Sequence, residues 1–403
     1  METKIKRKGF QFRFSPNGEQ QRQFARIAGA CRFVYNKALA ERIRVYKEEE
    51  KSTSFFTTSY WLTEWKKEIS WLVGYPRPVI AESLRDLDKA YKNFFKLKRG
   101  FPKFKKKSNT FQIRFPLSCH FKIEQGNKRI KLPLWSGLRC ASKNKQSGWM
   151  RYRKSQEIIG KAKNITVIKK SKHWYISVQT EIEYTPPESL PSQVGIDRGI
   201  SRFATLSNGE FYKPLNSFRV KQKEMAKLQR AMSRKKKFSS NWKKAKAKIT
   251  SLHESIANHR KDFNHKISTD ITTKYGLVAM EDLKVVNMSA SAKGTVEKPG
   301  RNVKAKSGLN KAILDQGWGE FKRQLEYKTE WNGGIFMTVP PQYTSQTCPS
   351  CNHVSKDNRK TQSNFTCVEC DYKENADVVG AINILRLAVS GEKSPDKGLG
   401  KPG

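Results

Sequence analysis

Four cysteines in the C-terminal part of this chain constrain its fold more than any other sequence feature. They form two CxxC pairs, Cys348–Cys351 and Cys367–Cys370, with 15 residues between the pairs. Each pair places two thiolates on one tight turn, and two such turns complete a tetrahedral sulfur site of the kind that Zn²⁺ prefers. Because four protein sulfurs leave no open position, the sequence predicts a structural zinc ribbon rather than a catalytic metal. Four free thiols or a redox pair are the alternatives.

The residues around the two pairs agree with a metal site. Asn352 and Asp371 directly follow the pairs, where metal-binding turns favour a left-handed backbone that Asn and Asp tolerate better than most residues. Residues 364–366 have the composition of a short ribbon strand. An odd total of seven cysteines, with no apolar signal segment at the N-terminus, favours a reducing cytoplasm over a disulfide scaffold. The remaining cysteines are isolated from one another: Cys31, Cys119 and Cys140.

The charge balance favours nucleic acid as the partner. Lys and Arg number 80 against 36 acidic residues, which gives a formal net charge of +44. A compact body with this excess repels itself unless a polyanion neutralises it, and Lys and Arg gain affinity for phosphates by releasing condensed counterions. An anionic membrane is the rival partner, but no stretch approaches the ~18 apolar residues of a spanning helix. The sequence therefore predicts binding to a polynucleotide and not to a membrane.

The first half of the chain predicts a β-rich domain that is interrupted by helices. Residues 9–15 alternate in the manner of a strand, and Ser15-Pro16 introduces a helix. Apolar residues then recur at helical spacing over 24–38 and 79–98. Residues 110–184 read mainly as strands, including a hairpin across 169–172, and 185–191 resembles a linker. A small β-barrel with a helical insertion is the expected architecture.

After the linker the pattern changes to short apolar strands and helices. The predicted strands are 193–196, a hairpin of 203–206 and 210–212 around Asn208-Gly209, 275–280 and 334–339. The predicted helices are 221–268, 309–327 and 377–387. Residues 287–307, rich in Gly, Ser and Lys, are predicted to be mobile, and the polar tail at 390–403 to be disordered.

Three acidic residues stand where apolar strands end or a helix begins. Asp197 ends the first strand after the linker, Glu281 ends the strand at 275–280, and Asp377 starts the last helix. Carboxylates from distant segments can converge to hold two Mg²⁺ ions about 3.5–4 Å apart for phosphodiester hydrolysis. Each acid also has a structural interpretation, as a turn residue, a surface charge or a helix cap, and Asp282 is a rival to Glu281. Together with the basic charge, the three acids predict a metal-dependent nuclease.

A run of cations interleaved with Phe and Pro is the main candidate for nucleic-acid contacts. Within 98–107 the six cations are Lys98, Arg99, Lys103, Lys105, Lys106 and Lys107. A rigid strip of this composition suits a phosphate backbone, whereas a solvated loop is the alternative. The segment 77–83, which begins at Arg77, is a second candidate for nucleic-acid contacts.

The chain resembles the TnpB (OrfB) family encoded by insertion sequences, whose members are relatives of the type V CRISPR effectors. The resemblance rests on motifs that occur in order along nearly the whole chain. They are 84–95, 100–107, 195–199 (Gly-Ile-Asp-Arg-Gly), 278–283 (Val-Ala-Met-Glu-Asp-Leu), 343–351, 367–370, 375–377 and 381–384. The glycine that often follows each CxxC pair in the family is absent here.

The resemblance implies an α/β fold in which a ribonuclease-H-type, RuvC-like nuclease domain contains an inserted zinc ribbon. It also implies an N-terminal, wedge-like β-barrel that is interrupted by a helical recognition segment, and it assigns Asp197, Glu281 and Asp377 as the magnesium ligands. The implied domains are 1–15 with 108–188 for the barrel, 16–107 for the helical segment, 189–341 with 375–388 for the nuclease, 342–374 for the ribbon and 389–403 for a disordered tail.

The activity implied by the resemblance is cutting of target DNA beside a short adjacent motif, directed by a guide RNA from the transposon end. The segment 77–83 is the candidate surface for reading that motif. Base pairing would then supply the sequence specificity, in the cytoplasm of a bacterium or archaeon and at its nucleoid. An RNA-guided repressor that does not cut is one alternative, although it has no use for the three acids. A transposase acting directly on transposon ends is another; it should need no RNA and could use Tyr343 or Tyr327. The sequence predicts no oligomeric state.

Overall fold

The computed structural model describes residues 4–108, 110–133 and 149–391. The chain forms two compact units, Met1–Thr185 and Pro186–Gly403, so the boundary falls at the start of the predicted linker. Cys140 and the tail from 392 onward lie outside the described residues. Among the helices within the described ranges, none is long and apolar enough to cross a membrane.

The first unit contains a seven-stranded sheet and a group of helices. Its strands are β1 (Lys4–Ser15), β2 (Phe111–Phe115), β3 (Lys122–Glu124), β4 (Arg129–Lys131), β5 (Trp149–Arg153), β6 (Lys161–Lys170) and β7 (His173–Tyr184). Its helices are α1 (Gly18–Glu49), α2 (Phe55–Glu68), α3 (Ser70–Val73) and α4 (Arg77–Leu97). The strand order is β2-β6-β7-β1-β5-β4-β3, with antiparallel pairing throughout. The helices follow β1 directly, so this half-barrel sheet has the predicted helical insertion.

The central strand β1 shows why the sheet forms a core. It pairs with β7 over 11 residues, and its last three residues also pair with β5. Side chains alternate along a strand, so Phe10, Phe12 and Phe14 share one face, and all three are buried. They pack against Phe24 of α1 and Val79 of α4. Full burial of each Phe stabilises the fold by about 1.5–3 kcal/mol.

A capping box fixes the start of α1. The Asn17 side chain accepts a hydrogen bond from the Gln20 backbone N–H, and the Gln20 side chain accepts one from the Asn17 N–H, each at 2.9 Å. This reciprocal pair satisfies two backbone donors that the first helical turn leaves open. The helix therefore begins just after the predicted Ser15-Pro16 introduction.

No element is predicted from the sequence at 55–68, where the structure has α2. The buried residues Thr58, Leu62 and Trp65 follow helical spacing, but Phe56 and Tyr60 are 81% and 66% exposed. Large apolar side chains on both sides of the helix obscure the single apolar face that periodicity detects. The helix depends on packing against α1, α3 and α4, which is a tertiary property.

The second unit is an α/β domain. Its strands are β8 (Gln193–Asp197), β9 (Ala204–Leu206), β10 (Phe211–Tyr212), β11 (Leu277–Glu281), β12 (Ile335–Val339), β13 (Asn364–Thr366) and β14 (Lys373–Asn375). Its helices are α5 (Ser217–Ser233), α6 (Ser240–Lys274), α7 (Val285–Met288), α8 (Val303–Gln316), α9 (Trp318–Trp331) and α10 (Ala376–Ser390). The main sheet has the order β10-β9-β8-β11-β12, in which β8, β11 and β12 are parallel and β9 and β10 are antiparallel. This arrangement confirms the predicted ribonuclease-H-type fold.

Two helices that the sequence predicts as continuous are broken in the structure. The predicted helix 221–268 comprises α5 and α6, which are separated by a turn at 234–239. The predicted helix 309–327 comprises α8 and α9, which are separated by Gly317 at φ +70°. Glycine reaches this left-handed conformation without the steric cost that a side chain adds.

Hydrogen bonds from a distant segment fix the end of α8, just before the break at Gly317. Asp315, at the end of α8, accepts hydrogen bonds from the backbone N–H groups of Phe218 and Arg219 in the first turn of α5. It also accepts one from the Ser217 hydroxyl at 3.0 Å. The carboxylate thereby caps a helix that lies about a hundred residues earlier in the chain, which helical periodicity cannot reveal.

The segment 287–307, predicted to be mobile, has helical structure at both of its ends. The structure has α7 and the start of α8 inside or beside this segment. The Lys306 ammonium donates a hydrogen bond to the Met288 carbonyl at 2.7 Å, and the Asn310 amide donates one to the Ser289 carbonyl at 3.0 Å. Side chains of α8 therefore anchor the first part of the segment, although its composition is that of a loop.

Candidate active site and zinc centre

Two of the predicted acids lie side by side at one edge of the main sheet. Asp197 is the last residue of β8 and Glu281 is the last residue of β11. The two strands are parallel neighbours, and Ile196 pairs with Met280 in their register. Adjacent strands are about 4.8 Å apart, so the two backbones that carry the acids end next to one another.

The third acid reaches the same edge on α10, because two glycines let that helix pack tightly on β8. A Cβ atom on Gly195 would lie 2.0 Å from the Ala381 carbonyl oxygen, so only glycine allows this approach of backbone to backbone. A Cβ atom on Gly380 would lie 3.2 Å from a carboxylate oxygen of Asp197. Asp377 is one helical turn before Gly380, hence on the same face of α10. The three acids therefore converge on one region.

The electrostatics of the acids reflect this convergence. Burial, and then the nearby carboxylates of Glu281 and Asp377, raise the pKa of Asp197 from 3.8 to about 7, while Arg359 acts in the opposite direction. Burial also raises the pKa of Glu281, and a hydrogen bond from Thr344 partly opposes this rise. Like charges in a poorly solvated region disfavour ionisation, so the region has the excess negative potential that attracts divalent cations.

Three further side chains hold the acids, and sequence analysis missed their role. Arg198 is buried and donates a hydrogen bond to the Glu281 backbone carbonyl at 2.6 Å. The Thr344 hydroxyl donates to the Glu281 carboxylate, also at 2.6 Å. Arg359 forms an ion pair with Asp377 at 3.4 Å. Arg198 and Thr344 carried a sequence signal, because they lie within the motifs 195–199 and 343–351, whereas Arg359 carried none.

The structure distinguishes Glu281 from its rival Asp282. Glu281 is partly buried beside Thr344, whereas Asp282 is exposed and forms an ion pair with Lys322 at 2.6 Å. That contact also lowers the pKa of Asp282. Successive side chains leave a strand on opposite faces, so only one of these two acids can face Asp197, and the geometry favours Glu281.

The four predicted zinc ligands form a compact cluster. Their sulfur atoms all lie within 4.8 Å of one another, with Cys348 to Cys370 at 3.6 Å and Cys351 to Cys367 at 3.5 Å. A tetrahedral site with Zn–S bonds of about 2.3 Å requires S···S separations of roughly 3.8 Å, so the four residues fit Zn²⁺. The antiparallel pair of β13 and β14 completes the predicted ribbon.

The turns after the two CxxC pairs confirm the backbone prediction. Asn352 has φ +65° and Asp371 has φ +54°, both in the left-handed region. The backbone N–H of each residue donates to the carbonyl of the first cysteine of its pair, Cys348 or Cys367. Asn and Asp thus take the place of the family's usual glycine.

The acids are spaced more widely than the thiolates. Across the described part of the chain, the four cysteines are the one group in which three or more metal-binding atoms lie within 4.8 Å of one another. Asp197, Glu281 and Asp377 are therefore less tightly clustered than the four cysteines.

The predicted nucleic-acid residues do not form a single patch. Lys98 lies just beyond α4 and Arg77 at its start, so about 30 Å of helix separates them. The Arg77 guanidinium donates to the Ser59 and Thr63 hydroxyls of α2. Lys105 is also engaged, because its ammonium lies 3.3 Å from an Asp86 carboxylate oxygen. The remaining cations of the strip are exposed to solvent: Lys98, Arg99, Lys103, Lys106 and Lys107.

Replacing Gly195 by alanine is expected to destabilise the second unit and disrupt the site. The new methyl group would overlap backbone atoms of α10, which cannot move aside as a flexible side chain can. We expect a loss of about 3 kcal/mol or more in the free energy of unfolding, measured by thermal denaturation. Gly319→Ala is the matched control, since its Cβ would meet no atom within 4 Å. Equal melting temperatures for the two variants would contradict the proposed packing.

Comparison with known protein families gives matches along most of the chain. Residues 175–292 match OrfB_IS605, described as a probable transposase. Residues 318–384 match the Cas12f1-like TNB domain, and 1–51 match a helix-turn-helix domain of OrfB_IS605 proteins. In the structure, the described part of 1–51 forms the strand β1 and the single long helix α1 rather than two helices joined by a turn.

Individual relatives cover nearly the whole length. InsQ of Escherichia coli K12, named as an RNA-guided DNA endonuclease, is 48% identical over 93% of this chain and 91% of InsQ. A protein of Streptomyces pristinaespiralis with the same kind of name is 30% identical over 98% of this chain and 92% of its own length. A cryo-EM structure of a Cas12f1–sgRNA–target DNA complex shares the fold, with a TM-score of 0.59 and 16% identity over 91% of this chain and 83% of that chain. On these matches, the chain belongs to the TnpB (OrfB) family.

Proposed function

We propose that this chain is an RNA-guided endonuclease that cuts target DNA by metal-dependent phosphodiester hydrolysis. The observation that carries the proposal is the convergence of Asp197, Glu281 and Asp377, from three distant segments, at one edge of the sheet. The two relatives that span almost the whole chain are named as RNA-guided DNA endonucleases. A protein that only binds nucleic acid would gain nothing from a cluster of carboxylates that raises the pKa of Asp197 to about 7.

The donor set of the site fits Mg²⁺. Carboxylate oxygens are the hard ligands that this ion prefers, and their mutual repulsion would be relieved by two divalent cations. When bound, such ions activate water and stabilise the leaving oxygen of a phosphodiester. The chain's own part is to hold the acids: Thr344 orients the Glu281 carboxylate through its hydrogen bond, and Arg198 fixes the end of β11 through the Glu281 carbonyl.

Guide RNA from the transposon end and target DNA are the proposed partners. The net charge of +44 supports binding to polynucleotides, and most cations of the strip at 98–107 are exposed. In this proposal the strip contacts phosphates, while base pairing between the RNA and the DNA selects the target. The segment that begins at Arg77 remains a proposed reader of the adjacent motif; its guanidinium would have to leave Ser59 and Thr63 to do so.

The proposed division of labour follows the sequence-based domain boundaries. The proposed domains are a wedge-like part at 1–15 and 108–188, a helical recognition segment at 16–107, a nuclease at 189–341 and 375–388, and a zinc ribbon at 342–374. A guide-directed nuclease of an insertion sequence works on chromosomal DNA, so we place its activity in the cytoplasm, at the nucleoid.

The proposal is tested by purifying the protein from a host that carries its native flanking DNA. We expect a distinct co-purified RNA and, after its sequence is known, Mg²⁺-dependent cutting of duplex DNA that matches it. The measurement is the cutting rate on matched and unmatched duplexes of equal length, with and without EDTA. Cutting of both duplexes at the same rate by RNA-free protein would exclude guidance by RNA.

A further inference from the structure

The turn between α5 and α6, together with the start of α6, carries a dense cluster of positive charge. Between 234 and 248 there are eight cations and no acidic residue. All eight side chains are exposed, and none of them takes part in an ion pair of the described residues. They are Arg234, Lys235, Lys236, Lys237, Lys243, Lys244, Lys246 and Lys248. Eight like charges in so short a segment repel one another unless a polyanion lies among them.

An aromatic side chain stands at the centre of these cations in an unfavourable backbone conformation. Phe238 is 66% exposed and has φ +69°. For a bulky residue other than glycine this region is strained, and such strain persists only where the surrounding structure enforces it. The enforcing contacts are local: Ser239 donates its N–H to the Lys236 carbonyl, and its hydroxyl caps α6 by accepting from Trp242 N–H at 3.2 Å.

A second aromatic ring, Trp242, contacts Phe238, and an ammonium group lies over each of the two rings. The rings of Phe238 and Trp242 meet edge to face, with their centroids 5.4 Å apart. The Lys237 ammonium lies 5.3 Å from the centre of the Phe238 ring, and Lys246 lies 5.1 Å from the centre of the Trp242 ring. Phe238 is the exposed ring of the pair and Trp242 is half-buried next to it. An exposed ring with cations beside it is the combination that proteins use to stack unpaired bases and hold the adjoining phosphates.

The helices α5 and α6 on either side of the turn pack against each other. Apolar residues of α5 and α6 pack together below it in a separate small core formed by Met225, Ile249, Leu252 and Ile256, with Phe218, Leu228 and Met232 at its margin. The aromatic pair is therefore presented by packed helices rather than by a free loop.

The turn is too far from the acids to take part in the chemistry. The α6 helix runs 32 residues from Trp242 to Lys274, which is about 48 Å at ~1.5 Å per residue. The seven residues from Lys274 to Glu281 span at most ~25 Å. Trp242 and Glu281 are therefore at least about 20 Å apart, so the turn lies outside the site formed by the acids.

We propose that the segment 234–248, formed by the turn and the start of α6, binds unpaired nucleotides of the guide RNA, with a base stacked on Phe238 and its phosphates held by the surrounding lysines. This inference rests on the proposed function for the identity of the RNA. Guide RNA is the favoured occupant because it is the polyanion that stays with the protein between DNA targets. It can therefore cover an exposed ring and eight cations at all times, which a transient DNA strand cannot.

The test compares Phe238→Leu, Phe238→Trp and wild type in the full chain, freed of RNA. The probe is a labelled oligouridine of 12 nucleotides, alongside a 12-mer with the same ribose-phosphate backbone but no bases. At about 0.3 M salt we expect Phe238→Leu to bind oligouridine about 5- to 100-fold more weakly than wild type. Binding of the abasic strand should change less than twofold, because it has no base to stack. Phe238→Trp should retain wild-type affinity, because tryptophan can stack on a base, whereas leucine is apolar but cannot stack.

A local readout removes ambiguity from other basic surfaces. Oligouridine containing 4-thiouridine should crosslink, on irradiation, to the peptide that carries Phe238 and Trp242, and Phe238→Leu should lower that yield. Phe56→Leu is the matched control, since Phe56 is 81% exposed but lies in the first unit, outside the cation cluster; it should bind and crosslink like wild type.

Three outcomes would overturn the inference: crosslinks confined to other peptides, equal affinity of Phe238→Leu and wild type, or a tenfold preference of wild type for oligothymidine of the same length. The last would assign the turn to single-stranded DNA. Guided cutting by the wild-type protein is measured separately. If the wild type cuts under guidance but Phe238→Leu changes neither affinity nor crosslink yield, only this inference is rejected. If the wild type cuts without guidance but the crosslink depends on Phe238, only the proposed function is rejected.

Discussion

Replacing Asp197 by asparagine is expected to lower the rate of guided DNA cutting at least ~1,000-fold, equivalent to about 4 kcal/mol of transition-state stabilisation. Asn keeps the size of the side chain but removes the negative charge of Asp197, one of the three carboxylates that lie together with Glu281 and Asp377. Without that charge, the site holds divalent cations less well and loses its main means of lowering the barrier. The measurement is the single-turnover cutting rate at saturating Mg²⁺ and guide RNA.

The same substitution is expected to stabilise the protein in the absence of divalent metal. The pKa of Asp197 is raised from 3.8 to about 7 in the folded state, so deprotonation disfavours folding. The free energy of unfolding of the metal-free protein therefore falls as the pH rises from about 4 through about 7. At pH 8 in EDTA, Asp197→Asn should melt roughly 2 °C or more above wild type, and Mg²⁺ should raise the melting temperature of wild type alone.

Asp282→Asn is the matched control for the predicted loss of DNA cutting in Asp197→Asn. Its carboxylate is exposed and paired with Lys322, away from the other acids, so the variant should cut within about threefold of wild type. Guide RNA affinity should be the same in all three proteins, because neither substitution touches the basic surfaces. Undiminished cutting by Asp197→Asn, or a greater loss in Asp282→Asn, would refute the proposed set of metal ligands.

Replacing Cys367 by serine is expected to abolish zinc binding and to lower cutting at least ~100-fold. The ribbon has only a small apolar core, in which Cys348, Phe365 and Cys367 pack against Ala376 and Val379 at the start of α10. Metal binding must therefore supply much of its folding free energy. The active site depends on an ordered ribbon region, because Thr344 binds the Glu281 carboxylate and Arg359 binds Asp377. Loss of the zinc should release both contacts.

The zinc prediction is measured by metal analysis, limited proteolysis and cutting rate on one preparation. Wild type should hold about one zinc per chain, and Cys367→Ser less than a tenth of that, with new protease sites within 342–374. Cys119→Ser is the control, since Cys119 is exposed in the first unit and lies outside the cluster. A zinc-free variant that cuts at the wild-type rate would show that the ribbon does not support the acids.

Local features of the chain were predictable because their determinants lie close together in sequence. The CxxC spacing alone indicated the zinc cluster, and the left-handed Asn352 and Asp371 follow from the same turns. The apolar strands that end at Asp197 and Glu281 were also correctly predicted. By contrast, no element was predicted at α2, and the breaks at 234–239 and Gly317 were missed, because these features depend on packing against other elements.

By itself, the sequence determined which chemical groups this protein has to offer: four thiolates on two turns, acids at strand ends and a large excess of cations. Only the tertiary structure decided how the acids meet. The parallel register of β8 and β11, and the approach of α10 that Gly195 permits, bring Asp377 to Asp197. Tertiary structure also supplied Arg359 and Thr344 from the ribbon region. The physical reason is that a turn fixes its own ligand spacing, whereas convergence of distant segments depends on how closely their backbones can pack.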